Sequence, residues 1–433
     1  MANITKRGNS YRIKVSAGYD AEGRQIVRSC TFKPDPTKTE RQNKKALEAF
    51  AVEFEQKVLS GKLLDGDRMT FQQYIESVWL PEYAEKQLAA TSYEDAKSEL
   101  KRVIIPALGS LKLSQIQPLH IQKLYDDMAE NGYYKYGKHY QYSSTTIKRY
   151  HAILSSCLTQ AVYWQLIEEN PCKRVRPPKT ERRREIKAFT LEEAQIFLSF
   201  LDEPYMVVSR GREKKNGTPS AEHEEIKKIP LQLKTFYYMA LFGGFRRGEL
   251  LALMWNDIDF DTNTVNVDKS LVRTQEQGVI IKTTKNRTSD RSVVLPAECM
   301  GLLRRHKLAQ KKHRLAVGSY WNDRNMIFTQ DNGNPLDPDT PSKIFKKIIK
   351  RYNTDHDDKL PEISLHGLRH TSATLLISGN LDVKTISARL GHADTSTTLN
   401  IYSHALKKRD EEAAKTLGGM FEKNKIMTKK QRI

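Results

Sequence analysis

The sequence predicts a multidomain, mainly α protein: a small α+β N-terminal unit, an all-α middle domain and a mostly α C-terminal domain with a small antiparallel sheet. The length, 433 residues, is too great for one ordinary core and suits two or three domains of roughly 100 to 200 residues. Period-two alternation is confined to two short stretches, near residues 10–32 and 257–296, while apolar residues elsewhere recur at helical spacing. Two polar breaks, at Leu63–Arg68 and Lys173–Lys187, separate the segments.

In the first segment Tyr11, Ile13 and Val15 alternate with Arg12 and Lys14, as in a half-buried strand. Asp20 to Gly23 makes a turn, Arg24 to Phe32 a second strand, and a helix follows with Leu47, Phe50, Phe54 and Val58 as its apolar stripe. A unit of residues 1–64 is too small for a third layer, so the sheet face opposite the helix is open. Arg12, Lys14, Arg24 and Arg28 are the candidates there for phosphate or groove contacts; a plain solvated face is the alternative.

The second domain spans residues 68–172. Thr70 caps a helix carrying Phe71, Tyr74, Ile75 and Val78, and further helices are expected over about 91–105, 114–130 and 143–167, the last with Ile147, Tyr150, Leu154, Leu158 and Ala161 on one face. Between the last two lies a loop, Tyr133 to Tyr140, in which tyrosines and lysines interleave; it can stack on bases and neutralise phosphates, or simply pack. Asn170-Pro171 ends the last helix. Residues 173–187, with Arg182, Arg183 and Arg184, read as an extended basic linker able to lie along a duplex while the flanking domains close around it.

The third domain covers 188–423, before a basic tail at 424–433. Thr190-Leu191-Glu192-Glu193 is a capping pattern. Ser209 to Lys228 reads as a polar loop between helices, and strands are expected at Val265–Val267, Val279–Ile281 and Ser292–Leu295.

Composition narrows the function. With 72 Lys and Arg against 52 Asp and Glu, the net charge is +20, and the basic residues are spread over every segment, which favours a nucleic-acid partner over a membrane surface. The longest uncharged apolar run, Phe236 to Phe245, is too short to span a bilayer, and the N-terminus lacks an apolar signal core, so a cytoplasmic protein is expected. Four scattered cysteines give neither a disulfide framework nor a zinc site of standard spacing.

The chemistry sits in the third domain. Ser364 can cap a helix from Leu365 to about Ser378, on which His366, Arg369 and His370 share a face. Two histidines four apart suggest zinc, but Gly367 stands where a metalloprotease needs its glutamate and no third ligand follows. Downstream come Leu390-Gly391-His392-Ala393-Asp394 and Thr397 to His404, which contains Tyr402; upstream lies Gly243-Gly244-Phe245-Arg246-Arg247-Gly248-Glu249-Leu250.

This order of boxes resembles the tyrosine recombinases of the phage-integrase family, in particular integrases of conjugative transposons, over nearly the whole chain. The resemblance implies an arm-type DNA-binding domain at 1–64, a core-binding domain at 68–172 and a catalytic domain at 188–423. It implies Arg246, Lys285, His366, Arg369 and His392 as catalytic residues and Tyr402 as nucleophile, with no cofactor and no metal.

Two guanidiniums suit this chemistry, because they can clamp the non-bridging oxygens of a pentacoordinate phosphorus as metal ions do elsewhere. A phenol must lose its proton as it attacks, and His366 is the family's base; the departing 5′ oxygen needs an acid, for which Lys285 fits the Lys-to-Arg291 spacing and Lys282 remains open. Glu249, three residues after Arg246, either orients that guanidinium or forms a surface pair. Arg247 and His370 are assigned to packing or DNA backbone contact, and His404 has no role.

The partners implied are double-stranded DNA, at core sites on the element ends and at arm-type sites, and a homo-tetramer on two duplexes. An excision factor and a host DNA-bending protein are implied as accessories. A segment from Lys407 to Lys423, with Leu417, Met420 and Phe421, is a candidate for docking on a neighbouring copy. A type IB topoisomerase and a non-catalytic DNA-binding regulator are the rival readings. The separate N-terminal unit favours the integrase over the topoisomerase.

Overall fold

The computed structural model describes residues 2–19, 23–59, 68–135, 137–179, 187–209, 223–283 and 290–392, with 394, 395 and 399. The chain divides into two units, Met1–Arg183 and Arg184–Ile433.

Unit one begins with an antiparallel sheet of β1 (Asn3–Arg7), β2 (Ser10–Tyr19) and β3 (Gln25–Phe32), in that order, packed against α1 (Glu40–Leu59). The alternation in β2 turns Ile13 and Val15 inward, where they are buried with Leu47, Ala51, Phe54 and Val58 of α1. Strand β1 was not foreseen because all five of its residues are exposed, which leaves no alternation to read. Phe50 is not in the core; it is 37% exposed and rests its ring on Phe32 at 5.5 Å.

Directly opposed residues on paired strands share a face. Arg12 lies opposite Thr31 and Lys14 opposite Ser29, so these two basic residues occupy the open face. Arg28 does not join them: it lies opposite Val15, on the helix-facing side. Arg24 precedes β3 and is exposed.

The helical part of unit one contains α2 (Phe71–Tyr74), which runs through a π-helical segment, Ile75–Ala84, into α3 (Glu85–Gln87). It continues with α4 (Ala90–Glu99), a second π segment, Leu100–Ile104, α5 (Ile105–Leu108), α6 (Pro118–Asn131) and α7 (Ser144–Tyr163). Thr70 makes its capping box with Gln73. The helix expected from 114 begins instead at Pro118, whose fixed φ and missing N–H suit a first turn. The core joins Tyr74, Trp79, Tyr125, Tyr150 and Leu154, and the buried Tyr74 hydroxyl donates to the Cys157 carbonyl at 2.9 Å.

Where a loop was expected, β4 (Tyr133–Lys135) pairs antiparallel with β5 (Lys138–Tyr140), and Gly137 before β5 has φ +73°. The tyrosines of the two strands divide the labour. Tyr133 lies against Tyr140 at 5.6 Å and Tyr142 at 4.7 Å, whereas Tyr134 is 78% exposed.

Unit two is built around α9 (Leu231–Gly243), which is apolar nearly all round and mostly buried. Before it come α8 (Leu191–Phe200), β6 (Tyr205–Ser209) and β7 (His223–Lys227). The last two pair antiparallel, so β7 is a strand inside the stretch from Ser209 to Lys228 where a loop was expected. After it come α10 (Arg247–Ala252), β8 (Ile258–Asp259), β9 (Thr264–Val267), β10 (Lys269–Thr274), β11 (Gly278–Thr283) and β12 (Arg291–Val294). Strands β12, β9 and β8 make one sheet and β10 and β11 a separate hairpin. Then follow α11 (Ala297–Val317), α12 (Asp339–Asp355), α13 (Leu365–Ser378) and α14 (Val383–Leu390).

The short helix α10 lies hard against β10. A Cβ on Gly248 would sit 2.6 Å from the Ser270 hydroxyl and 2.8 Å from the Leu271 carbonyl, so only glycine permits this approach. Gly248→Ala must push α10 away from the hairpin. It should cost about 1 to 3 kcal/mol, read as a fall in thermal midpoint of unit two; an unchanged midpoint would show that the hairpin yields freely.

Candidate active site

Two helices end in left-handed glycines, and each glycine carbonyl holds an arginine from elsewhere in the chain. Gly244, with φ +61°, closes α9, and its carbonyl accepts from Arg369 Nη1 at 2.7 Å. Gly391, with φ +69°, closes α14, and its carbonyl accepts from Arg246 Nη2 at 2.8 Å. The negative ends of two helix dipoles thus meet two positive groups. No side chain fits at either glycine: a Cβ would lie 2.3 Å from Leu390 Cδ2 at Gly244 and 2.7 Å from Arg291 Nη1 at Gly391.

Arg246 stands at the N-cap of α10. Glu249, buried at 2% exposure, accepts from the Arg246 backbone N–H at 2.8 Å and from its Nη1 at 2.7 Å. It is therefore an internal support for that guanidinium and not a surface pair. Its second cationic partner is Arg291, whose side chain is 6% exposed and whose Nη2 and Nη1 donate to the same carboxylate at 2.8 and 3.2 Å. Burial pushes the Glu249 carboxyl up, but the hydrogen bonds and charge of Arg291 and then of Arg246 outweigh it, holding the group below its ordinary value.

Arg369 lies on the buried face of α13, 3% exposed. Its Nη2 is buried with no partner among the described residues. Desolvation first, and then the like charge of Arg246, push its pKa down to about 9, so it stays charged at neutral pH in a place that lacks a full counter-charge.

Two imidazoles complete the cluster. His366 opens the same helix and meets His370 edge to face at 4.8 Å. It is exposed by surface area yet crowded by the wall it stands on. This desolvation, ahead of His370, Arg369 and Arg246, pushes it down to about 4. His392 is fixed by main chain: with Gly391 left-handed, its N–H reaches back to the Ser387 carbonyl at 3.0 Å while the Gly391 N–H bonds Ala388, a Schellman ending. Desolvation, then Arg369 and Arg246, hold it at about 4 as well.

The fold thus brings Arg246, Glu249, His366, Arg369 and His392 into one electrostatically coupled cluster. Lys285, Tyr402, His404, Arg182, Arg183, Arg184 and the 407–423 segment lie outside the described residues. Lys282 is half-buried in β11, opposite Ser270. Arg247 is held by Asp339 and Ser342, both at 3.3 Å, and His370 is half-buried with its Nδ1 unbonded among the described residues. Ser364 occupies the N-cap of α13, but its hydroxyl makes no capping bond. Among the described residues no three His, Cys, Asp or Glu are grouped as a metal site, and no helix is long and apolar enough to cross a membrane.

Comparison with known proteins decides the family. Residues 220–409 match the model of the phage integrase family, and residues 70–129 that of a phage integrase N-terminal SAM-like domain. The ICEBs1 integrase of Bacillus subtilis (strain 168) is 31% identical over 282 residues, 64% of this chain and 67% of that protein. The chain belongs to the phage integrase family of tyrosine recombinases. A XerC-like tyrosine recombinase of Caldanaerobacter subterraneus subsp. tengcongensis is 29% identical over 97% of this chain and 98% of its own length. The Tn1549 transposon integrase, solved in complex with transposon right end DNA, shares the recombinase's fold with a TM-score of 0.60 at 21% identity, covering 81% of this chain and all of that one.

Arg291 and the two left-handed glycines were not foreseen as site residues. The signal for Arg291 was available, since it shares strand parity with the buried Val293 and Leu295 and an arginine on an inward face needs a carboxylate.

At pH 6 the imidazoles of His366 and His392 should remain neutral, whereas an ordinary histidine, with pKa about 6.5, is mostly protonated. Nitrogen-15 spectra of the ligand-free recombinase, assigned with His366→Gln and His392→Gln, read this directly. Because both histidines bind protons more readily in the unfolded chain, their contribution to stability is complete above about pH 6.5 and is lost as pH falls toward about 4. Glu249→Ala, which leaves Arg291 buried without its carboxylate, should cost about 3 to 5 kcal/mol in denaturant titration; a loss under about 1 kcal/mol would mean that the pair is not needed.

Proposed function

We propose that this recombinase cuts and rejoins DNA at specific sites through a 3′-phosphotyrosyl intermediate, integrating and excising a mobile element. The observation that carries the reading is the pair of guanidiniums, Arg246 and Arg369, anchored to helix-end carbonyls and short of negative charge. A phosphodiester supplies what the pair lacks. As phosphorus becomes pentacoordinate, charge grows on its two non-bridging oxygens, and a preorganised clamp stabilises that state more than the ground state.

In this reading the Tyr402 phenol oxygen attacks phosphorus, the new O–P bond forms as the bond to the 5′ oxygen breaks, and the phosphodiester energy is kept in the protein–DNA ester. The phenol proton passes to His366, which is neutral at working pH. An anion in the clamp raises that imidazole's basicity, because the charges that hold it down are then compensated. Lys285 gives a proton to the departing 5′ oxygen, His392 hydrogen-bonds a non-bridging oxygen, and Glu249 orients Arg246. Rejoining runs the same steps in reverse, with a new 5′ hydroxyl as nucleophile.

The domains follow the same logic. Residues 1–64 bind arm-type sites, with Arg12 and Lys14 the favoured contacts because they share the open sheet face. Residues 68–172 and 188–423 grip the core site, joined by the basic segment 173–187 with its Arg182 to Arg184, and 424–433 is a basic tail. The working assembly is a homo-tetramer on two duplexes in the cytoplasm, at the nucleoid, assisted by an excision factor and a host DNA-bending protein.

Incubation with an element-end duplex followed by denaturation should leave a covalent protein–DNA band that disappears in Tyr402→Phe; a band that persists would remove Tyr402 from its role. Arg369→Ala should abolish the band while changing duplex affinity less than about tenfold. Lys285→Ala should slow cleavage by about 10² to 10⁴-fold, and a 5′-phosphorothiolate, whose leaving group needs no proton, should restore it. Restoration of Lys282→Ala instead would transfer the acid role to that residue.

A further inference from the structure

We infer that Arg291 is a positioning residue for strand cleavage: without touching DNA, it holds Arg246 and the His392 turn in one geometry. The inference rests on the reading of Arg246 as a phosphate clamp.

The guanidinium of Arg291 makes bonds on two sides. Its Nη1 and Nη2 engage Glu249, and its Nε donates to the Arg389 carbonyl at 2.7 Å. The Phe245 ring covers it at 5.8 Å. Both supports of Arg246 lean on this one group. Glu249 is one support, and the Gly391 carbonyl, at the end of the turn that Arg389 begins, is the other. The turn is tied back in return, since Arg389 Nη2 donates to the Phe242 and Val294 carbonyls at 2.9 and 3.0 Å. Strand β12 and the end of α14 therefore exchange arginine-to-carbonyl bonds, and His392 follows directly on the turn so fixed.

The consequence of losing Arg291 is specific. Glu249 offers two oxygens, and at present Arg246 Nη1 takes only one of them, Oε1. With Arg291 gone, Oε2 keeps only the Arg246 backbone N–H, so its other lone pair is open and the Arg246 fork can rotate into a bidentate pair that turns it from the scissile phosphate. Lysine cannot substitute. Its ammonium supplies charge but cannot span a carboxylate and a carbonyl in one plane.

The test uses the full-length recombinase, an element-end duplex with an ordinary scissile phosphate, and the same duplex with a methylphosphonate there. The methylphosphonate carries no anionic oxygen, so a weakened clamp matters less on it. Arg291→Lys should keep its thermal midpoint within a few degrees and its duplex affinity within about threefold, yet form the covalent band about 10²-fold more slowly. On the methylphosphonate that deficit should shrink to under about tenfold, in step with Arg246→Lys. Arg291→Gln, which keeps planar donors but no charge, should fall below Arg291→Lys on the ordinary duplex and be relieved in the same way.

Wild-type rates for Arg291→Lys would overturn the proposal, since charge alone would then suffice. So would equal deficits on both duplexes, which mark a merely structural role. If Arg246→Lys itself is not relieved by the methylphosphonate, the clamp reading fails and takes this inference with it. Relief of Arg246→Lys without relief of Arg291→Lys rejects only the inference.

Discussion

The architecture of unit two depends on a reciprocal tie between helix-end carbonyls and guanidiniums: the α9 glycine holds Arg369 and the α14 glycine holds Arg246. A carbonyl at a helix C-terminus carries partial negative charge, enough to aim a guanidinium but not to neutralise it. Arginine cannot escape by releasing its proton at physiological pH, so the two groups repel each other. Helices α9, α13 and α14 and strand β12 can thus be understood as a frame that holds the buried, incompletely paired Arg369 beside Arg246. The depressed histidines register the same field.

That tension bears on catalysis. A site that is already short of negative charge has little reorganisation to undergo when an anion arrives, and its donors are held by backbone groups that cannot swing away. Glu249, a buried carboxylate within the cluster, is engaged by two arginines, and those contacts keep it ionised despite burial.

Much of this was legible in the sequence, and the limits have physical causes. Arg246, His366, Arg369 and His392 could be singled out because their types and order within short boxes match those of the tyrosine recombinases, and the fold brings the four together. Helical faces such as Ile147, Tyr150 and Leu154 followed from their spacing. Strand β1 could not, since an exposed edge strand has no buried face to impose alternation. The β6–β7 ladder was hidden for a related reason: β7 is polar like a loop, and pairing between residues distant in the chain leaves no local trace. Arg28 was assigned to the open face because its charge suggested solvent, but strand parity places it opposite Val15. Arg291 reaches Glu249 across 42 positions and Arg389 across 98, distances at which no periodicity speaks. Glycines 244 and 391 could be seen, yet the carbonyls they direct could not.

Main-chain acceptors have one further property: every residue type carries them. Because Arg246 and Arg369 are aimed by the backbone at two left-handed glycines, the aim itself does not depend on which side chains line α9 and α14, so long as the turns and the buried packing of α9 survive. Such a centre tolerates wide sequence drift around a few fixed points. It offers a physical route by which this recombinase could diverge as far as 29% identity from a XerC-like relative while its own site geometry is kept.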